Sequence, residues 1–192
     1  MHTLSPYMLN IGKAFQEDEL LKGLHLVVLH ASRIPPHIGL IAGKKYHSLT
    51  IKGHETDHSI EVLLKNIRMR KIPSLFIPVR SHPTFSEDFL KEHFIQDVQQ
   101  FPKVSVGGAT CLSPVKLFFE KAYGVPVNGV NYLFELLPVL EQNNLTGQAS
   151  ALNIGEGIFN LPVYDLQQIH SEIRLAEQEA KHIRQSTLNQ QA

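Results

Sequence analysis

Apolar and polar positions fall in blocks along this chain, and each block predicts an element. Leu24-His25-Leu26-Val27-Val28-Leu29-His30 is short, apolar and partly β-branched, which predicts a buried strand. Ala31 to Pro36 is a loop broken by Pro35-Pro36. His37 to Ala42, then Gly43-Lys44-Lys45, then Tyr46 to Gly53 predict a β-hairpin. Ser59 to Arg70 places Ile60, Leu63, Leu64 and Ile67 on one side of an amphipathic helix. Ser74 to Val79 is a strand whose Pro78 points to an edge or a strand end. Ser86 to Gln100 is helical with Phe89, Leu90, Phe94, Ile95 and Val98 inward, and Val130 to Gln142 is a helix interrupted or ended at Pro138. Phe15 to Lys22 reads as a short helix ending near Gly23, and Asn143 to Asn160 as a loop anchored by Ile158 and Phe159. Asp165 to Gln185 is a charged helix with Leu166, Ile169, Ile173, Ala176, Ala180 and Ile183 along one stripe, and Ser186 to Ala192 is a frayed end.

Length and composition narrow the class. The 192 residues suit a single domain over 1–192, with a core over about 24–142 and a helical extension over about 163–186. Equal counts of 18 basic and 18 acidic residues give no basic face for nucleic acid and no acidic tail. The basic run Arg68 to Lys71 reads as a solvated helix end. One cysteine excludes an internal disulfide and suits a reducing cytoplasm. Met1 to Gln16 lacks the basic and apolar regions of a signal peptide, and no apolar run approaches a membrane span.

The candidate chemistry starts at that cysteine. In Gly107-Gly108-Ala109-Thr110-Cys111-Leu112-Ser113-Pro114, two glycines allow a tight bend, Thr110 suits an N-cap and Pro114 fits only a first turn. Leu112, Val115, Phe118, Phe119 and Ala122 follow at helical spacing, and Gly124 ends the helix. Cys111 therefore sits at a helix N-terminus, where free N–H groups and the helix dipole favour a thiolate. The competing reading is a buried cysteine that only fills core.

A nucleophilic thiol needs a base, and the base an orienting group. His37 opens the hairpin, with Gly39 leaving room on its face. Leu49 and Ile51 share one face of the second strand. Matching them with Ile38, Leu40 and Ala42 puts His37 on the face of Ser48 and Thr50. A two- or four-residue loop gives that register, whereas a three-residue loop sets His47 beside His37. Thr50 or Ser48 is thus the orienting group, with His47 as the alternative; for His37 alone, an ordinary strand-end histidine is the competing reading.

The arrangement resembles the permuted NlpC-type, YiiX-like branch of papain-like cysteine hydrolases. His37-Ile38-Gly39-Leu40-Ile41-Ala42-Gly43 matches that family's His-Val-Gly-Ile-Tyr-x-Gly strand. Thr110 to Val115 with Ala122-Tyr123-Gly124-Val125 matches its cysteine helix, and Leu26 to Leu29 its leading strand. The likeness covers roughly residues 24–125, and His before Cys marks the permuted form. It implies an α+β papain-like fold: a small antiparallel sheet around the His37 hairpin, packed on the Cys111 helix, plus C-terminal helices. It implies a cysteine hydrolase of amide or ester bonds, with Cys111 as nucleophile and His37 as general base. Thr50 on the next strand stands where the family often has an acid or another strong polar group. Substrates of the family are peptides, cell-wall peptides or lipids, and no cofactor or metal is implied.

Two other readings compete. His54-Glu55-Thr56-Asp57-His58 satisfies the His-Glu-x-x-His pattern of zinc peptidases, with His82, Glu87 or His93 as third ligand. It straddles a loop and a helix start, however, so its histidines need not share a face; the plain alternative is a polar connection. The third reading is a catalytically silent binding or structural domain, whose terminal helix caps the fold or pairs with a second copy.

Overall fold

The computed structural model describes residues 6–189. Its strands are β1 (Met8–Lys13), β2 (Leu24–Leu29), β3 (His37–Ala42), β4 (Lys45–Thr50), β5 (Gly53–Ser59), β6 (Ser74–Val79), β7 (Ala149–Leu152) and β8 (Gly157–Asn160). Its helices are α1 (Ile60–Met69), α2 (Glu87–Gln99), α3 (Leu112–Tyr123), α4 (Leu133–Gln142) and α5 (Leu166–Asn189). All the strands join one sheet in the order β5-β4-β3-β2-β6-β7-β1-β8. Pairing is antiparallel except between β1 and β7, so the fold is α+β with a mixed sheet larger than the small antiparallel one expected.

β2 is buried at every position because helices cover both of its faces. Leu24, Leu26 and Val28 face a large core shared with Leu90 and Phe94 of α2, Phe118 and Phe119 of α3, and Leu136 and Leu140 of α4. Val27 and Leu29 face a smaller cluster made with Ile60, Leu63, Leu64 and Ile67 of α1, the four positions that the helical spacing singled out.

Several elements differ from the sequence pattern, each for a physical reason. Pro78 lies inside the sheet: β6 sits between β2 and β7. Its pairs with β7 run only from Ser74 to Phe76, and the Pro78 carbonyl accepts from Gly147 N at 2.8 Å, so the missing N–H falls beyond the ladder. α4 runs through Pro138 instead of ending there. An interior proline costs a helix about 3 kcal/mol. Buried Leu136, Leu137 and Leu140 offset it at about 1.5–3 kcal/mol each. Phe89 is 47% exposed and Leu166 53%, at the ends of their apolar stripes. Only Glu17–Glu19 of the first expected helix is helical, as a single 3-10 turn. The loop expected over Asn143 to Asn160 contains β7 and β8, and the connection after Gly53 is the strand β5. Ile169 and Ile173 of α5 are buried against the large core, so this helix caps the domain. The backbone stays helical to Asn189; the Ile183 side chain, residues 190–192 and Met1–Ser5 lie outside the described residues. Among the described residues, no helix is long and apolar enough to cross a membrane.

Candidate active site

The hairpin turn decides which groups meet. Gly43 and Lys44 both have positive φ, at 56° and 62°, so the loop has two residues and pairs Ala42 with Lys45. Gly39 then lies opposite Ser48. His37, two residues before Gly39 on the same face, meets Ser48 diagonally, with its Nε2 3.2 Å from the Ser48 hydroxyl. Ser48 in turn donates to Glu55 Oε2 at 3.2 Å, because β5 sets Glu55 directly opposite it. A side chain at Gly39 would collide with the Tyr46 ring and the His47 carbonyl, 2.6 Å from an added Cβ. This is why the strand carries glycine there.

The chain His37–Ser48–Glu55 fixes a tautomer. The one hydroxyl proton of Ser48 goes to Glu55, so Ser48 accepts from His37, and Nε2 must carry the hydrogen. Nδ1 is left as the basic nitrogen, with no hydrogen bond among the described residues. Burial, and secondarily the charge of His30, hold His37 down at about 4, so the ring is neutral at physiological pH.

Cys111 approaches from the opposite layer. It is itself the N-cap of α3, one residue beyond the expected Thr110, whose hydroxyl instead accepts from Leu112 N at 3.3 Å. Gly107, at φ 71°, turns the chain into this corner, and its N–H donates to His170 Nε2 of α5 at 3.3 Å. Pairing of β3 with β4 begins only at Gly39, which leaves the edge of β3 open before it. The sulfur fills that gap. It lies 3.9 Å from the Pro36 carbonyl, to which the thiol donates, so it rests against the peptide unit that precedes His37. Cys111 and His37 line one cleft of about 410 Å³, with Pro36 and Glu55 on one side and Glu172, Ile173 and Ala176 of α5 on the other.

The electrostatics correct the thiolate expectation. The N–H groups of Ile38, Cys111 and Leu112 all favour a charged sulfur, but burial outweighs them and pushes the thiol up to about 11. At rest the cleft holds a neutral thiol and a neutral imidazole. Among the described residues no hydrogen bond joins the two. The chain matches no family model, no curated protein and no solved structure.

The other sequence candidates have other partners, although Thr50 also lines the cleft. Thr50 is not the group on His37: its hydroxyl donates to Gly53 O at 3.0 Å and accepts from Lys52 N at 3.1 Å, closing the β4–β5 turn. His47 is fully buried on the other face of β4 and is held by backbone alone. The His54–His58 motif lies on β5, not on a helix. Its histidines are therefore not one helical turn apart, and His54 Nε2 donates to Phe101 O at 2.7 Å. Among the described residues no group of three His, Cys, Asp or Glu side chains could hold a metal ion. Glu55 of that motif is instead the acid behind Ser48. The signal for it was Gly53 after the short turn at Ile51-Lys52, which folds residues 53–59 back along β4.

Proposed function

We propose that this chain is a papain-like cysteine hydrolase of amide or ester bonds, with Cys111 as nucleophile and His37 as general base. The observation that carries this reading is the His37–Ser48–Glu55 chain, which leaves Nδ1 unprotonated in the cleft that the Cys111 sulfur lines. A neutral thiol at about 11 is a poor nucleophile until its proton leaves, so Nδ1 removes it as the sulfur attacks the substrate carbonyl. The resulting imidazolium is stabilised through Ser48 by the Glu55 carboxylate. It then protonates the leaving amine or alcohol, and water releases the acyl group with His37 again as base. The Cys111 N–H stabilises the oxyanion of the attacked carbonyl, since those of Leu112 and Ser113 are held by Thr110.

A silent binding domain is the second reading, favoured by the same burial that keeps both groups neutral. Intact-mass analysis separates the two. Incubation with p-nitrophenyl acyl esters should place one acyl group on Cys111, with a burst of p-nitrophenol, and Cys111→Ala should abolish both. Acylation of Cys111 at the rate of a small free thiol, unchanged in His37→Gln, would leave only the binding domain.

A further inference from the structure

The basic run at the end of α1 is exposed, as a solvated helix end should be, but its side chains differ in their partners. Arg68 pairs with Glu17 at 2.8 Å. Arg70 and Lys71 instead line a pocket of about 410 Å³ with His30, Ser32 and Arg33 from the loop after β2. The two segments are fixed to each other, since Ala31 N donates to Pro73 O at 2.9 Å. No acidic residue lines this pocket, and among the described residues Arg33, Arg70 and Lys71 have no carboxylate partner. Burial, and then the charges of Arg33 and Arg70 beside it, depress the protonation of His30. Three uncompensated cations in one concavity are unexpected in a chain whose formal net charge is zero. His30 and Arg33 also line the cleft of Cys111 and His37, so the two spaces adjoin across these side chains.

We infer that this pocket binds a phosphate group, and that the group belongs to the substrate whose acyl bond lies at Cys111. Three cations exceed what one carboxylate would neutralise. Two guanidiniums offer the paired donors that phosphate oxygens accept, and Ser32 adds a hydroxyl. The pocket's role as a substrate subsite rests on the hydrolase reading; its binding of phosphate does not.

The experiment uses full-length Cys111→Ala protein, which binds without turnover. Inorganic phosphate, glycerol 3-phosphate and acetate are titrated at one fixed ionic strength, following backbone amide shifts at residues 30–33 and 70–72. Both phosphates should saturate those shifts and acetate should not. Arg70→Ala should weaken binding about tenfold or more, while Arg68→Ala, outside the pocket, should leave it unchanged. Equal binding of acetate, or equal losses in the two variants, overturns the site in favour of unspecific surface charge. In the Cys111 protein, an acyl ester carrying a phosphate should show a lower KM than its uncharged analogue, and Arg33→Ala should erase the difference. A KM that ignores the phosphate overturns the subsite. Intact phosphate binding with no hydrolysis of any ester overturns the hydrolase reading instead, and leaves the pocket standing.

Discussion

Two histidines of the same hairpin are held in opposite ways. His47, fully buried on β4, donates from Nε2 to Ala42 O at 3.2 Å and accepts the Asp57 N–H on Nδ1 at 3.1 Å. Both nitrogens are spent on backbone, which also keeps the ring neutral, since Nδ1 cannot accept that N–H and bind a proton. His37, partly exposed at the mouth of β3, uses only Nε2, and uses it on a side chain backed by a carboxylate. Burial depresses both rings. What separates a structural imidazole from an available one is therefore not its charge state but the nitrogen left over.

The largest effect should come from exchanging these roles. His37→Gln should lower kcat/KM for an acyl ester about 10²–10⁴-fold, the range of a lost general base. Because the ring makes one side-chain bond, the denaturation midpoint should barely move. His47→Ala should do the reverse. It leaves the Asp57 N–H and the Ala42 carbonyl without their partner and opens a hole beside Phe94, for about 2–4 kcal/mol of stability. The fraction that stays folded should retain its rate. Urea melts and ester kinetics on the two variants measure this directly, and a parallel loss of rate in both would erase the distinction.

The pH dependence of stability sharpens the contrast next. His37 falls from an ordinary value of 6.5 to about 4, so between those values the unfolded chain binds more protons and stability falls as the solution is acidified. The loss is at most about 3 kcal/mol. Cys111 rises from 9.0 to about 11, so between those values the unfolded chain gives up its proton first and stability falls again as pH rises. Urea midpoints across pH should show both limbs. Cys111→Ala should remove the alkaline one. His37→Gln should remove only part of the acid one, because His47 titrates in the same direction. An acid limb untouched by His37→Gln would mean that the ring is solvated.

The same physics explains what could be read from the chain. Elements with a face against the core announced themselves: α1 buries Ile60, Leu63, Leu64 and Ile67, and the hairpin register followed from matching apolar faces. The polar strands did not. β5, reading Gly-His-Glu-Thr-Asp-His-Ser, is an edge strand with no fully buried residue, and β8 is the edge at the other end. Edge strands are kept polar so that they do not pair with other chains, which removes the signal by which strands are recognised. The places of Cys111 and His37 were legible because a helix start and a strand start are local features. Glu55 was not, because it depends on a strand without a pattern. The state of the thiol was not either: burial is set by the Pro36–Ile38 edge, more than 70 residues away.

The smallest effect concerns the two hydroxyls of β4. Ser48 and Thr50 share a face, and the register alone puts both within reach of His37, Thr50 opposite it and Ser48 diagonal to it. The structure makes them unequal. Removing the Ser48 hydroxyl breaks the link between Nε2 and Glu55, so the ring can turn and the imidazolium loses its carboxylate. Ser48→Ala should slow acyl transfer about tenfold with little change in KM, the size of effect seen when a group that orients another is removed. The loss should be greatest where the rate depends on His37 accepting a proton. Thr50→Ala breaks only the two turn bonds to Gly53 O and Lys52 N. It should cost about 1 kcal/mol in a urea melt and leave the rate unchanged. Ser48→Thr, which keeps a hydroxyl at the same place, should recover most of the rate if the hydroxyl positions the ring, and none of it if Ser48 matters only as a small residue beside Gly39.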